Sequence, residues 1–377
     1  MNTKPHPTLF LALLCLLVTA LAGCSKTPAQ ATVTDRPTIP PAQVAATDAP
    51  AQIPASGDYW PTKTWRTSSP EEQGMDSEKL TRMLDAIQEQ KLGLHGLLVI
   101  RNGYIVSETY FGSFQQDTRH DLYSVTKSFV STLIGIALDK GYIDSTGQRV
   151  VDFFPGETFA SLDEQKQAMT LEDVLTMRTG LDWDEGDTAY RDLYISPDWV
   201  QHMLDMPMVA PPGSQFNYCS GCSHLLSAIL QQTTGMNPRD FADKNLFKPL
   251  GIDNLRWESN PAGIPIGGWG LQLTPREMAK LGYLFLHNGL WDGQQIVSAQ
   301  WVENATRSHT GTDGDRGYGY QWWTAPSLGA YTALGLYGQT IMVIPGSELV
   351  IVTTAQMENH DKIFQLVEQY IVPAVQK

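Results

Sequence analysis

The chain has 377 residues and a formal net charge of −14, from 26 basic and 40 acidic side chains. That length is enough for one large domain or for two closely packed lobes. The basic side chains form no cluster, so nucleic acid is excluded as an expected partner, and we attribute the acidity to solubility rather than to substrate choice.

The N-terminus predicts a secretion signal over residues 1–23. Lys4 precedes a mostly apolar run over 9–21, which has the length of a signal-peptide core and is too short to span a bilayer. The run ends in Leu-Ala-Gly before Cys24, which resembles a bacterial lipoprotein signal. The resemblance implies lipidation of Cys24 and, with Ser25 beside it, a lipid anchor on the periplasmic face of the outer membrane. Simple secretion, with Cys24 incidental, is the alternative.

Residues 24–59 are predicted to be a disordered linker, because they are rich in Ala, Pro, Thr and Gln and lack hydrophobic periodicity. From residue 60 onward the sequence has tryptophans, tyrosines and periodic apolar runs. We therefore expect the globular domain to cover residues 60–377.

A helix and a hairpin are predicted at the start of this domain. Residues 76–91 carry apolar side chains at helical spacing behind Asp76, a favourable N-cap. Two apolar runs, 96–100 and 104–110, then flank Asn102-Gly103, a pair that favours a tight β-turn.

The middle of the chain differs in pattern from its end. Residues 124–260 have few β-branched runs and predict a helical, loop-rich region, and a further helix is predicted over 274–286. Strands are predicted at 340–344 and 349–354, before an amphipathic helix that begins near residue 361. We expect an α+β fold, in which helices flank an antiparallel sheet built from both chain ends and a mainly helical lobe is inserted between them. A site would then lie in the cleft between the lobes.

Ser124-Val125-Thr126-Lys127 is the first candidate for chemistry. Serine and lysine three residues apart on a helix lie on the same face, so the amine can reach the hydroxyl. A serine hydroxyl needs an adjacent base to become a nucleophile, and lysine serves as that base when burial lowers its pKa. The apolar run over 128–138 would supply the burial. Ser-x-x-Lys also occurs by chance on solvated helices, so the assignment of a catalytic role to this pair depends on the other motifs in the chain.

Two further segments accompany the pair. Tyr218 follows a turn-rich loop that begins at Pro211, and it stands before an apolar helix predicted over 224–230. Residues 335–340 place glycines before a strand, where a substrate can approach backbone N–H groups closely enough for an oxyanion site.

Cys219 and Cys222 follow Tyr218 in the chain. A Cys-x-x-Cys pair in an oxidising compartment is compatible with a local disulfide, a redox pair or half a metal site. The chain has no second cysteine pair beyond the signal region and no His-Glu-x-x-His, so we expect neither a metal nor another cofactor. Two structural thiols, bridged or free, are the favoured interpretation.

With these segments in order, the chain from about residue 60 to 372 resembles the serine β-lactamase and penicillin-recognising hydrolase superfamily, in particular its class C-like esterase and amidase branch. Ser124–Lys127 matches the Ser-x-x-Lys motif of that superfamily. Tyr218-Cys219-Ser220 stands in the place of Tyr-x-Asn, and Tyr337-Gly338-Gln339 in the place of Lys-Thr-Gly.

The resemblance implies a role for each matched residue. Ser124 would attack the substrate carbonyl and form an acyl-enzyme, while Lys127 and Tyr218 share the proton transfers, Tyr218 in part as a tyrosinate beside the ammonium. The oxyanion would be held by the N–H of Ser124 and by one from the third motif. The set proposed for oxyanion and substrate binding is Ser124, Ser220, Tyr337, Gly338, Gln339 and Thr340, with Thr340 as the expected second donor.

Two departures from the family pattern narrow the expected substrate. Ser220 replaces the asparagine of Tyr-x-Asn and has less reach. Tyr337 replaces the lysine of Lys-Thr-Gly, which removes the cation expected to bind a β-lactam carboxylate. Both changes favour relatives that hydrolyse esters or short linear amides, including 6-aminohexanoate-dimer hydrolases.

Other polar residues are assigned ordinary roles. His120 and His224 could suggest a Ser-His-Asp triad, but the chain has no Gly-x-Ser-x-Gly elbow, so they are interpreted as polar or capping positions. The acidic run over 182–187 could line the mouth of the cleft or bind a cation, but a solvated loop is the favoured interpretation, in which Trp183 is a candidate substrate contact.

We therefore expect a membrane-anchored serine hydrolase that acts on a small-molecule ester or amide, with no nucleic-acid partner. A β-lactamase or D,D-peptidase is the alternative within enzymes. A non-catalytic ligand-binding envelope lipoprotein is the alternative outside them, and the intact Ser124, Lys127 and Tyr218 argue against it. The oligomeric state does not follow from the residues.

Overall fold

The computed structural model describes residues 59–160, 162–312 and 314–376. The predicted signal, the lipidation site at Cys24 and nearly all of the predicted linker lie outside the described residues. Among the described helices, none is long and apolar enough to cross a membrane.

The main sheet has eight antiparallel strands within the described part of the chain, in the order β2-β1-β13-β12-β11-β10-β9-β8. Strands from the two ends of the domain, β1 and β13, are hydrogen-bonded neighbours in this sheet. The predicted sheet built from both ends is thereby confirmed. Its strands are β1 (Leu94–Arg101), β2 (Tyr104–Tyr110), β8 (Thr310–Gly311), β9 (Gly317–Tyr318), β10 (Trp323–Ala325), β11 (Ala330–Gly335), β12 (Gln339–Ile344) and β13 (Leu349–Ala355).

The smaller strands form two minor sheets in the described residues. One contains β3 (His120–Asp121), β5 (Leu271–Leu273) and β4 (Arg256–Trp257), and the other pairs β6 (Leu290–Trp291) with β7 (Gln294–Gln295). The first of these leads directly into the segment that carries Ser124.

The β1–β2 hairpin forms where the sequence predicts it. Asn102 and Gly103 have φ angles of 51° and 78°, the left-handed conformations that a tight primed turn requires. Along β1, Leu97 and Leu98 point to opposite faces of the sheet, as the two-residue period of a strand requires. Both are buried, because helices cover both faces.

The helices lie in two groups. Helix α1 and the C-terminal helices cover one face of the sheet, while α10 covers the other face and joins the helical lobe. The helices are α1 (Ser77–Glu89), α2 (Thr126–Asp139), α3 (Glu164–Ala168), α4 (Leu171–Leu175), α5 (Asp187–Ile195), α6 (Trp199–Asp205), α7 (Ser220–Thr234), α8 (Pro238–Ala242), α9 (Lys248–Leu250), α10 (Pro275–Leu286), α11 (Ala299–Thr306), α12 (Asp361–Leu366) and α13 (Val372–Ala374).

Several predicted helix boundaries are confirmed by their caps. Asp76 accepts hydrogen bonds from the second and third residues of α1, and Thr274 forms a capping box with Glu277 at the start of α10. The predicted closing helix is less regular than expected, because a π-helical segment over Val367–Ile371 separates α12 from α13.

The helical lobe is inserted between β2 and β8, as predicted, and α2 and α7 pack against each other at its centre. Every residue of α2 except its last two is buried, so this helix is enclosed around its whole circumference. The N-terminal ends of α2 and α7 carry the candidate site.

Candidate active site

Ser124 lies in a 3₁₀ turn, Tyr123–Val125, that leads directly into α2. Tyr123 has a φ of 46°, a left-handed conformation that a bulky residue adopts only when the surrounding structure imposes it. Leu122 anchors the turn, since its N–H donates to the carbonyl of Leu271 at 2.9 Å. The turn thus holds Ser124 half-buried at the wall of a cavity of about 560 Å³.

Lys127 is buried one helical turn further on. Its Nζ lies 2.9 Å from Ser124 Oγ, 2.9 Å from Ser220 Oγ and 2.8 Å from the carbonyl oxygen of Gly268. Burial lowers the pKa of Lys127 to about 7, because an ammonium loses its hydration there, and the Glu185 carboxylate opposes that shift. The predicted Ser-Lys contact is therefore present, and the lysine can lose its proton near neutral pH.

Tyr218 enters the site from the loop before α7. Lys127 Nζ lies 4.8 Å from the centre of its ring, and the ring stacks on that of Trp323 at 5.8 Å. Burial raises the pKa of Tyr218, and the Glu185 carboxylate raises it further, while a hydrogen bond with Ser124 lowers it. The net direction is upward, so Tyr218 stays a protonated phenol at neutral pH. Burial disfavours the charged form, so these surroundings favour the phenol over the tyrosinate that the family resemblance implies.

Cys219 and Cys222 are joined by a disulfide. Of the options that the sequence leaves open, the local bridge is the one present. Cys219 is the N-cap of α7, with its Sγ 2.9 Å from the backbone nitrogen of Cys222, and both cysteines are buried. The bridge lies between Tyr218 and the body of α7, and it holds Tyr218 and Ser220 on a fixed turn.

Glu185 is the site residue that sequence reasoning missed. Its carboxylate accepts hydrogen bonds from Trp183 Nε1 at 2.5 Å, from the Tyr190 hydroxyl at 2.6 Å, from the Ser220 N–H at 2.9 Å and from the Ser220 hydroxyl. The favoured interpretation of the run as a solvated loop is wrong for this residue and the alternative holds, since Glu185 lines the cavity. Trp183 is buried behind it and does not reach the cavity wall.

The sequence offered a weak signal for Glu185. Trp183 and Tyr190 on either side of it are aromatic side chains with hydrogen-bond donors. When such side chains are buried their donors need an acceptor, and a carboxylate between them can provide it. The neighbouring Asp182 and Asp184 are exposed, which is why the whole run resembles a solvated loop.

The third predicted segment is placed differently from expectation. Thr340 lies within β12, which pairs with β11 on one side and β13 on the other, so its N–H points into the sheet. The Gln339 amide is bonded to Ala355, and the Gly338 N–H donates to His360 Nε2 at 3.2 Å. Thr340 as the oxyanion donor is therefore wrong, because both edges of its strand are already paired.

Tyr337 also lies away from the cavity wall. It is in the left-handed conformation, with a φ of 64°, and its ring packs against that of Tyr123 at 5.4 Å. The residues expected to bind substrate at 337–340 thus support the turn and do not line the cavity.

Leu334, Gly335 and Leu336 form this part of the cavity wall instead. Strand β10 begins at Trp323, opposite Thr332, so the last residues of β11 have no partner on that edge, which faces the cavity. Ser124 and Leu336 both line the cavity, each in a turn next to it. Their backbone N–H groups are the candidate oxyanion donors: Ser124 as expected, and Leu336, four positions before Thr340, in place of the expected second donor.

The rest of the cavity wall is largely aromatic. The remaining lining residues are Tyr123, Tyr190, Tyr194, Tyr218, Trp269, Arg316, Trp323 and His360. Ser220 is fully buried beneath this wall, where it contacts Lys127 rather than the cavity.

The two histidines do not take part in the cavity. His224 is buried against Asn260 at 3.1 Å, and burial lowers its pKa to about 4. His120 packs beside His95 and Phe114, and burial lowers its pKa also to about 4. Neither histidine is near enough to Ser124 to appear in the cavity wall.

Comparison with known proteins connects this geometry to a family. Residues 80–374 match the Beta-lactamase family. A "6-aminohexanoate-dimer hydrolase" of Paenarthrobacter ureafaciens is 25% identical over 316 residues, which cover 74% of this chain and 77% of that protein.

Solved structures share the fold at lower identity. A family VIII carboxylesterase aligns with a TM-score of 0.67 and 15% identity, over 81% of this chain and 98% of that one. An octameric penicillin-binding protein homologue from Pyrococcus abyssi aligns with a TM-score of 0.64 and 18% identity, over 80% of this chain and 78% of that one.

Proposed function

The chain belongs to the Beta-lactamase family and is a serine hydrolase, and from that premise we propose that it cleaves an ester or short amide through an acyl-serine intermediate on Ser124. The observation that carries the proposal is the contact of 2.9 Å between Ser124 Oγ and Lys127 Nζ, a lysine whose pKa burial lowers to about 7. A nucleophile within hydrogen-bond reach of a base that is neutral at working pH is the arrangement acyl transfer needs.

Acylation begins at Ser124. Its Oγ attacks the carbonyl carbon, its proton passes to the neutral amine of Lys127, and the carbonyl electron pair moves onto oxygen. The N–H groups of Ser124 and Leu336 stabilise that oxyanion as its charge develops.

Tyr218 is assigned to the leaving group. It is a neutral phenol beside Ser124 and Lys127, so it can donate its proton to the departing oxygen or nitrogen and regain one from the Lys127 ammonium. Water then attacks the acyl-serine by the reverse proton path and releases the acid.

The cavity favours an apolar or aromatic substrate of small size. Its wall is mostly aromatic, and its volume of about 560 Å³ is in the range of small-molecule sites. The wall formed by Leu334 to Leu336 has no cation for a β-lactam carboxylate, and Arg316 is paired with Asp361 at 2.5 Å. These contacts favour an ester or linear amide over a β-lactam.

The test uses purified protein with p-nitrophenyl butyrate and with nitrocefin. We expect turnover of the ester, and loss of about a thousandfold or more in Ser124→Ala. Ser131→Ala is the matched control, since Ser131 is a buried serine on the helix that follows Ser124, and its Oγ has no hydrogen-bond partner among the described residues.

Two other outcomes would redirect the assignment. Faster turnover of nitrocefin than of the ester would identify a β-lactamase or D,D-peptidase. Absence of turnover, together with failure of a fluorophosphonate probe to label Ser124, would support the non-catalytic ligand-binding protein.

We also propose that Cys24 is lipidated and anchors the protein in the cell envelope, on the sequence pattern that precedes it. Metabolic labelling with a palmitate analogue should mark the protein, and Cys24→Ala should abolish the label. A label that persists in the variant would contradict the anchor.

A further inference from the structure

Ser220 connects the base of the proposed reaction to a carboxylate. Its hydroxyl donates to Glu185 Oε1, and its Oγ accepts from Lys127 Nζ at 2.9 Å. A serine hydroxyl has a single proton, so once that proton is donated to Glu185 the oxygen can only accept from the lysine.

This constraint decides where the Lys127 lone pair points. A neutral amine has two N–H donors and one lone pair, and Nζ has three polar neighbours: Ser124 Oγ, Ser220 Oγ and the Gly268 carbonyl. A carbonyl can only accept, and Ser220 is restricted to accepting by Glu185. Both N–H groups are thereby used, and the lone pair is left facing Ser124.

The carboxylate itself is held firmly. Trp183 Nε1 and the Tyr190 hydroxyl donate to it at 2.5 and 2.6 Å, and the Ser220 N–H donates at 2.9 Å. With donors on both oxygens, Glu185 keeps its accepting position toward the Ser220 hydroxyl.

We propose that Glu185 is a positioning residue which, through the hydroxyl of Ser220, aims the lone pair of Lys127 at the hydroxyl of Ser124. The inference rests on the proposed function, because it assigns Glu185 to the proton transfer described there. In that step the Ser124 O–H bond breaks as its Oγ bonds to the carbonyl carbon, and the proton goes to Lys127 Nζ. Glu185 and Ser220 exchange no proton.

The charge of Glu185 gives a readout that damage to the fold would not. Glu185 is the carboxylate that acts on Lys127, where it raises the pKa against the larger lowering by burial, and the Tyr218 ring also faces the amine. Glu185 in turn faces Tyr190, Tyr218 and Tyr318, all of which burial keeps as neutral phenols. Removal of its charge should therefore lower the Lys127 pKa.

The main test compares full-length wild type with Glu185→Gln. We measure kcat/KM for p-nitrophenyl butyrate from about pH 5 to about pH 9. We expect the plateau of kcat/KM to fall about tenfold to a hundredfold, which is part of the rate gain that a general base usually supplies. The acid limb of the profile should move to lower pH. Asp152→Asn is the matched control, since it removes one carboxylate from an exposed ion pair with Arg149 and should change neither feature.

Ser220→Ala provides the second variant. It removes the connecting hydroxyl and leaves the carboxylate, so we expect a similar fall in the plateau with a smaller movement of the acid limb. Because the two residues act in series, the double variant should lose no more than the more damaging single variant.

The possible results distinguish failure of the positioning role of Glu185 from failure of the proposed hydrolase function. Ser124-dependent turnover with an unchanged plateau and limb in Glu185→Gln would overturn the positioning role alone, as would additive losses in the double variant. Absence of Ser124-dependent turnover in wild type would overturn both.

Discussion

Lys127 owes its chemistry to its surroundings. An exposed lysine is an ammonium at neutral pH, but Lys127 is fully buried and its pKa is lowered to about 7. The nearby Glu185 carboxylate limits the shift, so the residue titrates near working pH instead of far below it. A base of this kind is poised to accept the proton of Ser124.

The pH dependence of the reaction follows with a definite sign. The active form is the neutral amine, which dominates above the Lys127 pKa of about 7, so kcat/KM should fall about tenfold per pH unit below that value. A pH–rate profile with a p-nitrophenyl ester measures it. Lys127→Arg should be inactive at every pH, because a guanidinium keeps its proton, and a flat profile through neutral pH in wild type would contradict the role.

The sequence predicted some of the side-chain contacts in the site and missed one residue. The Ser124–Lys127 contact follows from helix geometry, which places residues three apart on one face. Glu185 was missed because its partner Ser220 lies 35 residues away on α7, and a loop sequence does not determine which helix the loop will meet.

The turn after β11 is the element that completes the site. Gly335 ends the strand so close to the nucleophile turn that a Cβ added there would lie 2.2 Å from the Leu122 carbonyl oxygen. Leu122 precedes the turn of Ser124, and Leu336 follows Gly335. The two backbone segments that carry the candidate oxyanion donors therefore approach each other at this one glycine.

A substitution at this contact should damage activity more than stability. Gly335→Ala should push the two turns apart and lower kcat about tenfold to a hundredfold, because an oxyanion donor moves out of position. Gly346→Ala, in a turn where an added Cβ meets nothing within 4 Å, is the control. Steady-state kinetics beside thermal melts make the comparison, and equal kcat values in a folded Gly335→Ala would contradict the assignment.

Strand positions were predicted better than strand edges. The runs at 340–344 and 349–354 are strands as expected, within β12 and β13. The residues that reach the cavity were predicted wrongly, because the open edge of β11 depends on where β10 begins beside it. The hydrophobic pattern of a strand determines its faces and says little about which of its edges is left unpaired.

The two faces of the main sheet have different roles in the molecule. One face packs on the lobe that carries the site, and the other packs on α1 and the C-terminal helices. The backbone also joins the ends of the domain, since the Asp76 N–H donates to the Ala374 carbonyl at 2.9 Å. Residues of the second face should therefore affect folding and leave the reaction unchanged.

Ile351→Ala tests this separation. Ile351 is fully buried on the second face, so its truncation should lower the free energy of unfolding by about 2–5 kcal/mol. Urea unfolding measures the loss, and kcat/KM of the folded variant at low temperature should equal that of wild type. A displaced pH–rate profile would show that the two faces are coupled.

The sequence by itself determined the elements, the sheet built from both chain ends, the helical insertion and the Ser124–Lys127 pair. Each of these follows from periodicity, capping or turn chemistry that acts over a few residues. The tertiary structure alone decided the Glu185–Ser220 connection, the protonation of Tyr218 and the place of the second oxyanion donor. Those features depend on burial and on which strand edges remain unpaired, and both arise only when distant segments pack together.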